Sequence, residues 1–333
     1  MTAQKQLSLC VITKDEESFL PACLKALNGI ADEAIVADLG SKDGTADLAR
    51  RAGAAVYTPA WEDDFSRIRN FCMERASGEW VLFLEATETI AREQLQELKL
   101  LLQNPTAEAY LVEVDDGQEK GAVPLPTQSL RLLRNRADYR FCYRSFAYIP
   151  DEELYSLKNC GLRIARLGKG AEWQAKERIR LLQKDIEERP QDGYLRYVKG
   201  VLLLNAGKYK ESAASLELAR RAVCGGYLYT PHMYQCLAIC FLALERYDVA
   251  EELLAEGELL FPFYTDIQFL RAELYAKLNK TAQALQLLET CLVRQKRPAV
   301  CVPRPETGIH DIERAIEKLR SDPGAKPWEA APR

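Results

Sequence analysis

Two periods of hydrophobic and polar residues divide the chain. From its start to about residue 116, short apolar runs alternate with amphipathic stretches. LSLCVIT (7–13), AIVADLG (34–40), AAVYTP (54–59), WVLFLEA (80–86) and AYLVEVDD (109–116) read as strands. Helical spacing fills the gaps, over Glu16–Leu27, Thr45–Ala52, Phe65–Ala76 and Arg92–Gln103. Such alternation predicts an α/β domain, a mostly parallel sheet with helices on both faces. Ligands of these sheets sit beyond the carboxyl ends of the strands. TKDEE (13–17), DLGSKDGT (38–45) and EATE (85–88) fall at that edge.

From about residue 172 the pattern becomes paired helices repeating every 34 to 38 residues. With Tyr209, Tyr247 and Thr281 aligned, small residues recur at Gly200, Ala238 and Ala272 and again at Ser212, Ala250 and Ala284. Leucine recurs at Leu216, Leu254 and Leu288. Small residues at those places let the two helices of a hairpin approach closely. The expected organisation is a sheet domain over 1–170 and an all-α domain over 171–298, in which a leading helix precedes three hairpins. A linker, a capping helix (Ile309–Leu319) and a tail follow over 299–333. The first helices of the hairpins are expected to line a concave face, with Tyr197, Tyr234 and Gln268 as contacts for a peptide.

A chain of 333 residues accommodates two domains, each with its own core. With 45 basic against 49 acidic residues it has no general field for nucleic acid, which excludes that class of partner. No stretch approaches the roughly 18 apolar residues of a membrane span, and the apolar run in MTAQKQLSLCVITKDEE is short for a secretory signal. A cytoplasmic protein is expected. The ten cysteines form no CxxC pair and read as buried free thiols. Cys236 and Cys240 lie one helical turn apart, without the further ligands that zinc requires.

A carboxylate beside a glycine turn, as in DLGSKDGT, can accept from a base N–H or a ribose hydroxyl while the backbone approaches closely. The same residues also suit an Asx-type turn closing a strand–helix loop. Taken in order, SLCVITKDEE, DLGSKDGT, FSRIRN and WVLFLEATE resemble the first half of the family 2 glycosyltransferases of the GT-A fold, over about residues 7–88. With the tetratricopeptide-like repeats that follow, the chain is similar to a bacterial subgroup that includes peptide S-glycosyltransferases. The resemblance implies a GT-A domain followed by tetratricopeptide repeats. It places Thr13 and Asp15 at the nucleotide, Asp38, Ser41 and Asp43 in the nucleoside pocket, and Arg69 near the diphosphate with Asn70 behind it.

The resemblance also shows departures. The family's strand ends in an Asp-x-Asp triplet whose third residue binds Mn²⁺ or Mg²⁺; here the triplet is Glu85-Ala86-Thr87, and a neutral hydroxyl is a weak ligand for a hard cation. Glu85 and Glu88 retain carboxylates that could serve as metal ligands or as catalytic groups. Further on, RLLRNRADYRFCYRSFA keeps Arg131, Arg134 and Arg144, but Phe146 and Ala147 stand where the subgroup has a histidine and an acid. Without a metal, cations can meet a leaving diphosphate, and Arg131, Arg134, Arg136 and Arg140 are close in sequence; a solvated edge strand would read the same way. Candidate bases are Glu85, Glu88, Asp115 and Asp116. The implied activity is inverting transfer of a sugar from a nucleotide-diphospho-sugar to a peptide or protein acceptor held by the repeats. The alternative is a catalytically degenerate scaffold that binds a nucleotide or a peptide. Oligomeric state is left open, a homodimer included. A dehydrogenase is disfavoured because no GxGxxG follows the first strand.

Overall fold

Every residue of Leu7–Thr13 (β1) is buried. Leu7, Leu9 and Val11 pack into one core and Cys10 and Ile12 into another, as the two-residue period of a strand covered on both faces requires. The structure, a computed structural model, describes residues 5–115, 128–150, 153–167, 172–222, 229–295, 309–322 and 324. The chain divides into two compact units, Met1–Pro190 and Gln191–Arg333.

In the first unit, β1 is followed by α1 (Leu20–Ala26), β2 (Glu33–Asp38), α2 (Thr45–Arg51), β3 (Ala55–Tyr57), α3 (Phe65–Arg75) and β4 (Trp80–Glu85). Then come β5 (Glu88–Ile90), α4 (Leu95–Gln103), β6 (Ala109–Asp115), β7 (Gln128–Arg134), β8 (Leu157–Arg166) and α5 (Glu172–Glu188). The eight strands form one mixed sheet in the order β3-β2-β1-β4-β7-β6-β8-β5. The ladders β1–β2, β1–β4, β2–β3 and β6–β8 are parallel; β4–β7, β6–β7 and β5–β8 are antiparallel. One core sets β1, β4 and β6 against α1 and α4. The other sets β1, β2 and β4 against α3 and the segment around Tyr139 and Phe141.

The second unit begins with three helical hairpins: α6 (Gly193–Asn205) with α7 (Tyr209–Ala222), α8 (Thr230–Ala243) with α9 (Tyr247–Leu260), and α10 (Thr265–Lys277) with α11 (Thr281–Gln295). The small and leucine positions of the repeat are all buried. A Cβ on Gly200 would meet the side chain of Leu216 at 2.5 Å, so the α6–α7 crossing requires glycine. The last helix, α12 (Ile309–Ser321), packs Ile312, Ala315, Ile316 and Leu319 onto the third hairpin. The helix read from the sequence as leading the repeats, α5, lies in the first unit. The expected contact residues of a concave face are buried instead: the Tyr197 hydroxyl pairs with His232 Nδ1 (2.8 Å), Tyr234 donates to Glu256 (2.8 Å), and Gln268 donates to the Pro262 carbonyl (3.1 Å). These side chains hold the hairpins together and present no surface to a peptide. No helix among the described residues is long and apolar enough to cross a membrane.

Candidate functional site

The carboxyl ends of β1 and β2 bring Thr13, Asp15, Asp38, Ser41 and Asp43 together. Asp15 adopts a φ of 55°, which aspartate tolerates, and ties the two loops. Its N–H donates to Ser41 Oγ (2.8 Å) and its carboxylate accepts from the Lys42 N–H (2.6 Å). Glu17 accepts from the Gly44 N–H (2.7 Å) and donates its own N–H to Asp43 (3.2 Å). Asp38 accepts from the N–H (3.1 Å) and hydroxyl of Ser41, and Asp43 from the N–H of Thr45 (3.0 Å). DLGSKDGT is therefore a braced turn in its own right, and Gly40 takes its left-handed position with a φ of 79°.

At the carboxyl end of β4 two buried carboxylates meet three guanidinium groups. Glu85 lies 2.8 Å from Arg178, 3.6 Å from Arg166 and 4.0 Å from Arg131. Glu88, fully buried, accepts from Arg131 (2.9 Å) and from the Glu85 N–H (2.8 Å), and faces Arg166 at 3.7 Å. Although burial opposes its charge, Arg178, Arg131 and Arg166 hold the Glu85 carboxyl well below the usual range.

A fourth cation, Arg69 of α3, has no such partner. Its guanidinium stands over the rings of Phe83 (5.2 Å) and Phe141 (5.0 Å), and among the described residues it makes no hydrogen bond or ion pair. Burial, with Arg131 and Arg178 adding repulsion, lowers its proton affinity. Asn70 fixes this wall by pairing both ways with the backbone of Phe141 (3.0 and 2.9 Å). Arg69, Arg131, Arg178, Glu85 and Ser145 line a cavity of about 30 Å³, room for one or two waters. The Nε–H groups of Arg131 and Arg166 are buried without an acceptor. Buried donors are almost always satisfied, so these Nε–H groups suit a water or an anion as acceptor.

Four expected cations of the site, Arg134, Arg136, Arg140 and Arg144, lie elsewhere. β7 runs antiparallel to β4, so Arg134 pairs with Trp80 at the start of β4, and its guanidinium lies over the Trp80 ring (4.5 Å) beside Glu79. Arg136 follows it to Glu108 and Asp138, and Arg140 donates to the Tyr139 carbonyl, so the arginine run of RLLRNRADYR does not converge on one anion. Arg144 is bound to α5, its side chain to Glu188 (2.9 Å) and its N–H to Asp185 (3.1 Å). Phe146 lies below the Arg178 guanidinium (5.9 Å). Ala147 lines the cavity. Asp116 lies outside the described residues, as does the side chain of Asp115.

The residues present do not fit a divalent cation. Both carboxylates are committed to guanidinium groups, and the Thr87 hydroxyl is buried with no hydrogen-bond partner and no anionic oxygen to offer. Among the described residues no group of three or more His, Cys, Asp or Glu side chains could share a metal ion.

Sequence reasoning missed three residues: Arg166, Arg178 and Glu16. Glu16 is buried behind the loop and accepts from the Thr13 hydroxyl (2.9 Å), while its other oxygen has no partner. Burial lifts its carboxyl to about 7, against the hydrogen bonds from Thr13 and Lys14 and with repulsion from Glu85 and Glu88 added. A carboxyl raised on folding contributes stability that is complete below its unfolded value of 4.5 and is lost as pH rises through about 7. Glu16→Gln is therefore expected to be more stable than the parent by about 2–3 kcal/mol at about pH 8, with the gain vanishing near about pH 4. Denaturant unfolding at the two pH values checks this.

The family model described as Glycosyl transferase family 2 matches residues 8–152. A TPR repeat-containing protein of Synechococcus elongatus is 41% identical over 156 residues, 47% of this chain and 38% of that protein. An uncharacterized glycosyltransferase of Rickettsia typhi is 29% identical over 107 residues, 32% of this chain and 36% of that protein. The chain thus spans little more than a third of the length of these relatives. Among solved structures, S. aureus TarS 1-349 in complex with UDP-GlcNAc aligns at a TM-score of 0.42 and 17% identity, covering 88% of this chain and 92% of that one.

Proposed function

We propose that the first unit, whose residues 8–152 match the family 2 glycosyl transferase model, binds a nucleotide-diphospho-sugar at the carboxyl ends of β1, β2 and β4 and transfers its sugar without a metal. The acceptor in this reading is a peptide or protein held by the helical repeats. One observation carries it: among the described residues four guanidinium groups, Arg69, Arg131, Arg166 and Arg178, stand around two carboxylates, Glu85 and Glu88. Guanidinium groups outnumber those carboxylates by two, a surplus that calls for counter-charge. A diphosphate diester carries a negative charge on each phosphoryl group and would supply it.

In this reading Arg69 and Arg131 meet the diphosphate and stabilise the charge that develops on it as the sugar leaves, the work a metal performs elsewhere. Guanidinium suits the task because its fork matches phosphate oxygens and it stays charged. Thr13, Asp15 and the braced turn of Asp38, Ser41 and Asp43 form the nucleoside end.

A specific observation favours the second reading, a scaffold that binds nucleotide without turning it over. Glu85 and Glu88 are both paired, and the cavity of about 30 Å³ is far below the roughly 300–1,000 Å³ of ordinary ligand pockets. Incubation of the purified chain with uridine and guanosine diphospho-sugars, with release of nucleoside diphosphate followed, separates the two. Metal-independent release is expected. Binding without release would leave the scaffold, and no binding of any nucleotide would remove both readings.

A further inference from the structure

We propose that Arg178 of α5 is a catalytic residue: it neutralises Glu85 in the unliganded site, moves onto the diphosphate when donor binds, and so leaves Glu85 free to take the acceptor's proton. The proposal rests on the nucleotide-sugar reading and adds to it a residue from beyond residues 8–152, the segment matched by the family.

Three features of α5 point this way. The helix is clamped independently of Arg178: buried Asp185, two turns further on, accepts from the N–H groups of Arg144 (3.1 Å) and Ser145 (3.0 Å) and from the Ser145 hydroxyl (2.7 Å). Arg180 and Lys184 grip Asp63 at 2.8 and 2.7 Å. Only the Arg178 side chain therefore has to move. Second, that side chain lines the same cavity as Arg69 and Arg131, and its guanidinium stands over Phe65 (5.2 Å) and Phe146 (5.9 Å). Third, it is the more exposed partner of its ion pair, at 26% against 10% for Glu85. An arginine in such a pair can exchange one charged partner for another, and a forked bond to a diphosphate is charge-assisted at both ends.

The step balances. The acceptor's hydroxyl or thiol forms a bond to the anomeric carbon and gives its proton to Glu85. The bond from that carbon to the diphosphate oxygen breaks, and its electron pair departs with the nucleoside diphosphate, held by Arg69, Arg131 and Arg178. Glu85 is faced by Arg69 from α3, Arg131 from β7, Arg166 from β8, Arg178 from α5, Glu88 from β5 and Glu16 from the loop after β1. Arg178 contributes most among the groups that hold its carboxyl low, so departure of Arg178 restores basicity when donor is present.

The test uses the full chain, with Arg178→Ala and Arg178→Lys, and as probe a uridine or guanosine diphospho-sugar that the parent turns over. Loss of one donor of developing charge lowers kcat about 10²–10³-fold in comparable sites, and a loss of that size is expected for Arg178→Ala, with partial rescue by added guanidinium ion. Arg178→Lys, which keeps the charge and the fold, is expected to retain more activity. The acid limb of kcat/KM, which reports the free enzyme, should move to higher pH in Arg178→Ala because Glu85 has lost its nearest cation. That of kcat should stay in place, because in the donor complex Arg178 has already left. A purely structural role would produce neither the rescue nor this split. Equal or faster turnover in a folded Arg178→Ala would make the side chain a plug and overturn the proposal, as would a parent that binds nucleotide without turnover. A parent that binds no nucleotide would overturn the nucleotide-sugar reading itself.

Discussion

Arg131→Met is expected to destabilise the first unit by about 3–5 kcal/mol, the usual cost of breaking a buried ion pair from one side. Arg131 is 5% exposed and Glu88 not at all, and the two meet at 2.9 Å. Methionine fills much of the same volume, so packing changes little. What remains is the Glu88 carboxylate in the core with the Glu85 N–H and, at 3.7 Å, Arg166. The double variant Arg131→Met, Glu88→Met removes both charges and is expected to recover most of the loss. Urea unfolding of the single and double variants checks both parts. Equal losses in the two would mean that the arginine acts through packing.

Arg69→Met should do the opposite to stability. Its guanidinium is desolvated, repelled by Arg131 and Arg178, and among the described residues makes no hydrogen bond of its own. A methionine between Phe83 and Phe141 keeps the contact with the rings at no charge cost, so a gain of about 1–2 kcal/mol is expected on unfolding. The affinity for a nucleoside diphosphate should fall about 10- to 100-fold, the value of one or two charge-assisted hydrogen bonds. A residue that costs stability and provides affinity is what a binding site leaves in a fold.

The sequence pattern located five strands, β1 to β4 and β6, and four helices to within a few residues because β1, β2 and β4 are apolar on both faces and the glycine turns bound them. The rest of the sheet was less legible for local reasons. In β7 the buried Arg131 interrupts the apolar run. In β8 only Leu162 and Ile164 are buried, and Gly161 at a φ of 73° lies beside a register shift, so no alternation is maintained. β5 has three residues, too few to show a period.

The repeats were readable because their small positions answer a steric demand, as at Gly200. The same period could not tell a tyrosine inside the hairpin from one on its surface, which is why Tyr197 and Tyr234 were misplaced. At the site, FSRIRN and EATE pointed to Arg69, Glu85 and Glu88, whereas Arg134, grouped with Arg131 by closeness in sequence, is carried by the antiparallel β7 to the start of β4. Arg178 lies in EWQAKERIRLLQKDIEE, among charges that are mostly solvated, and nothing local separates it from them.

Calorimetric titration of the parent chain and Arg69→Met with uridine and guanosine diphosphates, in chelator and again with Mn²⁺, tests the central claim most directly. The expected result is that the parent binds one of them equally well in both buffers and that Arg69→Met, folded and at least as stable, binds about 10- to 100-fold more weakly. Binding by the parent that requires Mn²⁺, or an affinity unchanged by the loss of Arg69, would contradict a site in which guanidinium groups take the place of the metal.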